Sequence, residues 1–229
     1  MLRLKNRVFV TFLVIFIIIL AFSTSAENRC VYSSNDKCTN KIAMTFDDGP
    51  HPKQTEEILN ILDKYNVKAT FFVIGVNVKN YGKSLDSVIK KGHEIGNHTY
   101  SHHVLKSMSK ENILDEISNT ENELLRQYGY EPKLLRPPCG AYDSTLIDIA
   151  TENEMKIVLW NIDTEDWAHT SVDNITKNVL KNVRGGDIIL FHDYISGKTN
   201  TAAALDILIP RLKEMGYEFV TVSELLQDT

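Results

Sequence analysis

Seven short apolar runs alternate with amphipathic segments from residue 41 onward, and this alternation is the strongest constraint on the fold. Each run is almost continuously apolar, which is typical of strands that are covered on both faces. Strands that alternate with helices form βαβ units around a parallel sheet. The predicted strands cover 41–46, 69–74, 93–98, 134–136, 156–162, 187–191 and 218–222, and the predicted helices cover 52–65, 84–91, 109–128, 144–152, 171–183, 201–215 and 223–227.

These units can close into a barrel or lie open in a doubly wound sheet. The dinucleotide-binding version of the open sheet has no support, because no Gly-x-Gly-x-x-Gly motif follows the first predicted strand. A chain of 229 residues is long enough for one large domain. We therefore predict a single α/β domain over residues 41–229.

The first 26 residues differ in composition from the rest of the chain. Three basic residues precede an uncharged, mostly apolar run at 8–22, and Ser23-Thr24-Ser25-Ala26 follows it. That order is typical of a secretory signal peptide. A run of 15 residues is shorter than the roughly 20 that a membrane span needs, and an uncleaved anchor that tethers the protein through 8–22 is the alternative. We predict a signal peptide or signal anchor at 1–26 and a short leader at 27–40.

The charge balance argues against nucleic acid as the main partner. The formal net charge is −5, and removal of the first 26 residues, which contain Arg3, Lys5 and Arg7, would take it to −8. Nucleic-acid phosphates are bound by basic surfaces, which an acidic body does not provide. The contents of hydrophobic and charged residues, 43% and 24%, are those of an ordinary globular protein.

Two of the three cysteines, Cys30 and Cys38, lie in the predicted leader with seven residues between them. In an exported protein such a pair can form a disulfide, and two free thiols are the alternative. Cys139 has no obvious partner for a disulfide in this arrangement, and it falls inside a motif that is described below.

Polar residues follow five of the predicted strands at the points where these strands end. In parallel α/β folds, catalytic groups collect at the C-terminal ends of the strands. We therefore expect these residues to share one site. They are Asp47 and Asp48 after the first strand, His98 after the third, Arg136 after the fourth, Asp163, Asp166 and Trp167 after the fifth, and His192 after the sixth.

The segment Thr45-Phe46-Asp47-Asp48-Gly49-Pro50 places two adjacent carboxylates where a buried strand stops and a turn begins. Neighbouring side chains of a strand point to opposite faces, but at its end both carboxylates can turn toward one pocket. Two buried negative charges are costly unless a metal ion or another cation offsets them. A plain Asp-Asp-Gly turn is the alternative interpretation.

The segment His98-Thr99-Tyr100-Ser101-His102 places two imidazoles four residues apart, so that both can face one ion. With Asp48 they form a set of two histidines and one carboxylate that leaves open positions for water and substrate. A bound divalent ion would lower the pKa of its water and polarise a carbonyl. Asp47 then remains free as a general base, with Arg136 to position it. Spacing favours His102 as the second ligand, and the adjacent His103 is the alternative.

His192 is suited to act as a general acid that protonates a leaving group. A neighbouring carboxylate would raise its pKa, and Asp166 is the first choice for that carboxylate, with Asp193 as the second. A core histidine bonded to the backbone is the alternative. Trp167 and Leu190 are expected to wall a small apolar pocket near this histidine.

Together these motifs resemble those of the polysaccharide deacetylases, carbohydrate esterase family four, whose catalytic unit is the NodB homology domain. The resemblance covers residues 41–222 and is closest in type to the peptidoglycan N-acetylglucosamine deacetylases. The five motifs occur in the family's order as Thr45-Phe46-Asp47-Asp48-Gly49-Pro50, His98-Thr99-Tyr100-Ser101-His102, Arg136-Pro137-Pro138, Asp163-Thr164-Glu165-Asp166-Trp167 and Leu190-Phe191-His192.

The resemblance implies a distorted (β/α) barrel with about seven parallel strands and the metal-dependent removal of acetyl groups from N-acetylated sugars. It also implies a role for each motif residue. Asp47 would be the base, and Arg136 would orient it. The metal ligands would be Asp48, His98 and His102. His192 would be the acid, with its pKa tuned by Asp166, and Trp167 and Leu190 would line the acetyl pocket.

The third motif departs from the family pattern, because the aromatic residue that usually follows Pro138 is replaced by Cys139. In the family the backbone N–H at this position helps to hold the oxyanion, and a cysteine supplies that group equally well. Pro138 and Cys139 are expected to border the substrate, and the missing ring changes the wall of the substrate groove and hence the expected substrate preference. Oxidation of Cys139 and metal binding by it are the alternatives.

We predict a secreted or membrane-tethered, monomeric hydrolase that removes the N-acetyl group from N-acetylglucosamine in a cell-wall glycan, with peptidoglycan as the first choice. The expected cofactor is one divalent ion, zinc first, and the same ligands also accept cobalt, nickel or manganese. The alternatives are a chitooligosaccharide deacetylase, an O-acetyl esterase of the acetylxylan type, and a non-catalytic glycan-binding module.

Overall fold

The computed structural model describes residues 30–227, in which nine strands form one parallel sheet with helices packed around it. The predicted α/β class is therefore confirmed. The strands are β1 Val31–Tyr32, β2 Lys41–Asp47, β3 Thr70–Val73, β4 Glu94–Asn97, β5 Leu134–Leu135, β6 Lys156–Val158, β7 Ile162–Asp163, β8 Ile188–His192 and β9 Glu218–Phe219. The helices are α1 Gln54–Lys64, α2 Gly75–Asn80, α3 Gly82–Lys90, α4 Lys110–Tyr128, α5 Ser144–Glu152, α6 Val172–Asn182, α7 Thr201–Glu214 and α8 Val222–Leu225.

The sheet is curled into the predicted distorted barrel. Its strand order is β1-β6-β5-β4-β3-β2-β8-β7, and β9 pairs separately with β2. Within residues 30–227 no pairing joins β7 back to β1, so the barrel is not closed. Because β4, β3, β2 and β8 lie side by side and run parallel, their C-terminal ends meet at one edge of the sheet.

The prediction of one continuous strand over 156–162 is wrong. The segment forms two strands that lie far apart in the strand order, since β6 pairs with β5 and β1 whereas β7 pairs with β8. The carbonyl groups of Val158 and Leu159 accept hydrogen bonds from the guanidinium of Arg136 at 3.1 and 3.0 Å. Asn161 then binds the backbone N–H of Ile188 at 2.9 Å, which directs the chain to β8.

Helix boundaries follow the local sequence more closely. Ser109 caps α4 by accepting a hydrogen bond from the Asn112 N–H, and Gly129 ends this helix in a left-handed conformation with φ of 62°. The short helix α2 was not predicted. The predicted last strand, 218–222, is shorter than expected, because Thr221 forms a capping box with Glu224 and α8 begins at residue 222.

Three phenylalanines hold the central strand in place. Phe46 on β2 stacks on Phe71 of β3 and on Phe191 of β8, with ring centroids 5.0 and 5.7 Å apart. All three rings are completely buried. Burial of a side chain of this size stabilises the fold by roughly 1.5–3 kcal/mol. The end of β2, where the adjacent carboxylates lie, is therefore set by a packed layer on both sides.

The described part of the predicted leader, residues 30–40, packs against the same sheet as the residues that follow it. Strand β1 pairs with β6, and the side-chain amide of Asn35 donates a 2.7 Å hydrogen bond to the carbonyl of Leu225. Cys30 and Cys38 are free thiols and pack against different hydrophobic clusters. The predicted signal at 1–26 and tether at 8–22 lie outside the described residues. Among the helices of residues 30–227, none has the length and apolar character that a membrane span requires.

Candidate metal centre and catalytic site

The carboxylates of Asp47 and Asp48 turn toward the same imidazole. A regular strand would send them to opposite faces, but Asp48 adopts a left-handed backbone with φ of 77°. As a result, Oδ2 of Asp47 lies 3.7 Å and Oδ1 of Asp48 lies 3.4 Å from Nε2 of His98. The side-chain amide of Asn77 donates to the Asp48 carbonyl at 2.7 Å. The two carboxylates thus converge on one pocket.

Asp48, His98 and His102 form a candidate metal centre, because one donor atom of each lies within 4.8 Å of the others. Nδ1 of His98 donates to the Arg136 carbonyl at 2.7 Å, which leaves the lone pair of Nε2 facing Asp48. Oδ1 of Asp48 is buried and has no hydrogen-bond partner among residues 30–227. The electron pairs of Asp48 Oδ1 and His98 Nε2 therefore face each other in a buried site, where a cation between them would be stabilising. These residues fit a divalent ion.

The charges around this centre favour the protonation states that metal ligands need at Asp48 and His102, whereas at His98 they favour a proton that a bound cation would have to displace. Burial alone would raise the pKa of Asp48, but His98, His102 and His192 lower it overall. Burial works to lower the pKa of His98, whereas Asp47 and Asp48 raise it overall. Burial lowers the pKa of His102. An ionised Asp48 and a neutral His102 can both offer electron pairs to a cation.

His102 and not His103 belongs to this cluster, because Nε2 of His102 lies near Asp48 while His103 faces solvent with a 69% exposed side chain. Nδ1 of His103 lies 3.4 Å from the carboxylate of Glu116 on α4. Glu116 also accepts hydrogen bonds from the backbone N–H groups of Tyr100 and Ser101 at 3.0 and 2.9 Å. It therefore holds the loop between the two histidine ligands. No local sequence pattern distinguishes Glu116 from other acidic residues on a helix surface.

The guanidinium of Arg136 is completely buried and holds Asp47. Its Nη1 donates to Oδ1 of Asp47 and to the hydroxyl of Thr45, each at 2.8 Å. The other donors bind backbone carbonyl groups, so the carboxylate is held in one orientation. The sequence motif gave no role to Thr45, although its place two residues before Asp47 puts both side chains on the same face of β2.

His192 is paired with Asp166. Oδ1 of Asp166 lies 2.8 Å from Nδ1 of His192, and Oδ2 accepts from the His192 backbone N–H at 2.9 Å and from the Thr201 hydroxyl at 2.7 Å. Burial opposes the charged imidazole, but the hydrogen bond and charge of Asp166 raise the pKa of His192 to about 9. The ring is therefore protonated at neutral pH and can donate a proton from Nε2.

Asp193, the second choice for this partner, points away from His192. It accepts a 2.9 Å hydrogen bond from the Gly49 N–H and a 2.6 Å hydrogen bond from the Thr55 hydroxyl. Burial raises the pKa of Asp193 to about 7. Successive residues of a strand face opposite sides, which explains why Asp193 contacts α1 while His192 faces the site.

A family model described as polysaccharide deacetylase matches residues 34–158, which is more than half of the chain. The chain belongs to the polysaccharide deacetylase family. The matched range contains the candidate metal centre and Arg136, and it ends before the segments that carry Asp166 and His192.

Relatives extend the family similarity beyond that range. A peptidoglycan-N-acetylglucosamine deacetylase of Bacillus cereus is 42% identical over 188 residues, which span 81% of this chain and 88% of the relative. The crystal structure of the Bc1960 peptidoglycan N-acetylglucosamine deacetylase superposes with a TM-score of 0.85 at 40% identity, covering 88% of this chain and 94% of that one. A family 4 acetyl xylan esterase from Clostridium thermocellum, solved with a cobalt ion, has a TM-score of 0.75 at 39% identity and covers 81% and 89%.

The four residues predicted to contact substrate differ in accessibility. Trp167 is 54% exposed on the 3-10 turn that also carries Asp166, whereas Leu190 on β8 is buried. Pro138 is buried, and Cys139 next to it is exposed with a left-handed φ of 57°. Cys139 is a free thiol and lies outside the metal-ligand cluster found within residues 30–227.

Proposed function

We propose that this chain hydrolyses the N-acetyl group of N-acetylglucosamine residues in peptidoglycan and releases acetate. The observation that carries this proposal is the meeting of three groups at one sheet edge: the Asp48 centre with its two histidines, Asp47 held by Arg136, and His192 paired with Asp166. Similarity to a peptidoglycan-N-acetylglucosamine deacetylase over 81% of the chain supports the choice of substrate.

The reaction follows from the places of these side chains. Asp48, His98 and His102 would hold a divalent cation, which supplies a Lewis acid for the acetyl carbonyl and lowers the pKa of water at the site. Asp47 accepts a proton from the attacking water, whose oxygen bonds to the acetyl carbon. His192 donates its proton to the sugar nitrogen, the C–N bond breaks, and acetate and a free amine result.

An O-acetyl esterase is the second candidate function, and the structural similarity to an acetyl xylan esterase supports it. Both reactions use the same attack by water, but the leaving groups differ. An amine leaves readily only after protonation, so the site needs an acid that still carries its proton at neutral pH. The raised pKa of His192, about 9, therefore favours the amide substrate. A chitooligosaccharide offers the same amide on a different glycan and is the third candidate.

We propose zinc as the resident ion, with cobalt, nickel or manganese as alternatives, because a set of two histidines and one carboxylate binds each of them. The proposed substrate lies outside the cell membrane, which agrees with the predicted signal peptide or anchor at 1–26. We accordingly propose a monomeric enzyme that is secreted or held on the outer face of the membrane.

The proposal is tested by measuring acetate release from peptidoglycan, chitooligosaccharide and acetylxylan side by side, after chelation and after add-back of each metal. We expect release from peptidoglycan that depends on added metal and is highest with zinc. Release from acetylxylan alone would replace the proposal by the esterase. Glycan binding without acetate release in any metal would replace it by a non-catalytic module.

A further inference from the structure

A cavity of about 520 Å³ lies beside the catalytic edge of the sheet and takes no part in the mechanism above. Its walls are the start of α1 and the loop 194–199 that follows β8. Strands β2 and β8 are paired so that Asp47 lies opposite His192. The two segments that line the cavity therefore leave the sheet within a few residues of the proposed base and acid.

Two rings that line this cavity, those of His51 and Tyr194, are stacked nearly parallel with centroids 4.8 Å apart. The ring of Tyr81, which does not line the cavity, lies edge-on to His51 at 6.0 Å. The backbone N–H groups of Lys53 and Gln54 donate to Nδ1 of His51, so its proton is on Nε2. Both tyrosines are more than one-third exposed. Rings with apolar faces and polar edges suit a sugar, which carries C–H groups on its faces and hydroxyls on its edges.

The wall of the cavity is already ordered. The side-chain amide of Gln54 exchanges two 2.8 Å hydrogen bonds with the backbone of Ile195, one to its carbonyl and one from its N–H. Beneath this contact, Asp193 accepts hydrogen bonds from Gly49 and Thr55. The loop after β8 is thereby tied to both β2 and α1. A ligand that binds here does not have to order the loop, which lowers the entropic cost of binding.

Two lysines make the cavity basic in a chain whose net charge is −5. Lys53 and Lys198 line it together with a single acidic residue, Glu57. Nζ of Lys53 lies 3.9 Å from Glu57 in an exposed pair, which contributes little. Lys198 has no ion-pair partner among residues 30–227, and its carbonyl contacts Nδ1 of His169. A carboxylate on the ligand would complement this charge.

We propose that this cavity is a glycan subsite for N-acetylmuramic acid whose lactyl carboxylate is free, as it is in peptidoglycan strands that have lost their stem peptides. The sugar ring would lie against His51 and Tyr194, with its carboxylate near Lys53 and Lys198. The inference rests on the proposed function, because peptidoglycan alternates the two sugars and N-acetylmuramic acid then adjoins the N-acetylglucosamine at the metal centre.

The test compares two substrates in a double variant, Lys53→Gln with Lys198→Gln. On peptidoglycan strands with free carboxylates we expect kcat/KM to fall roughly tenfold, because two charge contacts are lost. On an uncharged chitooligosaccharide of equal length kcat/KM should stay within about twofold, because that ligand makes no such contacts. The control, Lys90→Gln with Lys133→Gln, removes two exposed lysines elsewhere and should leave both values unchanged. Equal losses on both substrates, or no loss on either, would overturn the subsite.

A binding measurement separates this proposal from the proposed function. Asp47→Asn protein loaded with zinc should bind peptidoglycan strands without turnover, and the double lysine change in that background should weaken this binding about tenfold. Tyr194→Ala should weaken the binding of both glycans. If wild-type protein releases no acetate from peptidoglycan while the lysines still govern binding, the proposed function fails and the subsite stands. If acetate is released and the lysines affect neither measurement, the subsite alone fails.

Discussion

Arg136 orients Asp47 and His98 at the same time. Its guanidinium, which has no exposed surface, donates a 2.8 Å hydrogen bond to Oδ1 of Asp47, and its backbone carbonyl accepts a 2.7 Å hydrogen bond from Nδ1 of His98. The end of β5 therefore sets both the direction of the proposed base and the tautomer of a proposed metal ligand. The base and the metal centre are coupled through one residue.

Replacement of Arg136 by alanine should destabilise the protein by roughly 3–5 kcal/mol, because it leaves the buried Asp47 without its charge partner. Urea unfolding of the metal-free protein measures this change. Arg126→Ala is the matched control, since Arg126 pairs with Glu123 at the surface and its loss should cost less than about 1 kcal/mol. Equal unfolding midpoints for the two variants would show that the Asp47 contact is not needed for stability.

Asp47→Asn and His98→Ala should separate the base from the metal centre. The first change keeps the size of the side chain but removes the proton acceptor, so turnover should fall by at least about 10²-fold while metal content stays intact. The second removes a ligand, so metal should be lost together with activity. Elemental analysis of both purified variants gives the metal content, and the rate of acetate release gives the turnover. Substantial acetate release by Asp47→Asn would rule out Asp47 as the base.

Asp166→Asn should move the alkaline limb of the pH–rate profile to lower pH. Burial lowers the pKa of His192. The hydrogen bond to Asp166 and the charge of this carboxylate outweigh this effect and raise the pKa to about 9. Without that charge, the proton needed for the leaving group is lost at a lower pH. The dependence of kcat/KM on pH for the amide substrate measures the shift, which we expect to exceed one pH unit. Thr201→Val, which removes only a hydroxyl from Asp166, should shift the limb by less.

The same pairing predicts a pH dependence of stability. The folded pKa of His192 lies above the unfolded value near 6.5, so the pair stabilises the folded protein fully below pH 6.5. This stabilisation should be lost between about pH 6.5 and 9 as the folded imidazole loses its proton. Urea unfolding of the metal-free protein across this range should show the loss in wild type and a smaller one in Asp166→Asn. A flat profile in wild type would argue against the raised pKa.

Glu116→Ala should weaken metal binding about 10- to 100-fold without removing a ligand. Glu116 accepts hydrogen bonds from two successive backbone N–H groups in the loop that carries His102, and without it the loop is free to move. Titration of the metal-free protein with zinc gives the affinity directly. Glu111→Ala, on the exposed face of the same helix, is the control and should bind zinc as the wild type does. Identical affinities would mean that the loop keeps its shape unaided.

Local sequence patterns predicted most of the elements and most of the residues at the site. Apolar runs and caps such as Ser109 and Gly129 depend on near neighbours, so the boundaries of α4 followed from the sequence. The break within 156–162 did not, because it depends on hydrogen bonds from the buried Arg136 to the carbonyls of this segment. The pattern of apolar residues within a segment does not show which hydrogen-bond donors from another part of the chain will contact that segment.

The sequence by itself determined the α/β class and pointed to the proposed reactive groups, since Asp47, Asp48, His98 and His192 each stand at a strand end that local patterns reveal. Only the tertiary structure decided which groups meet. Asp166 and not Asp193 lies beside His192, because strand alternation and the loop after β7 bring one carboxylate in and turn the other away. Contacts between residues so far apart in the chain depend on strand order and on the course of the loops, and neither of these is encoded in any local pattern.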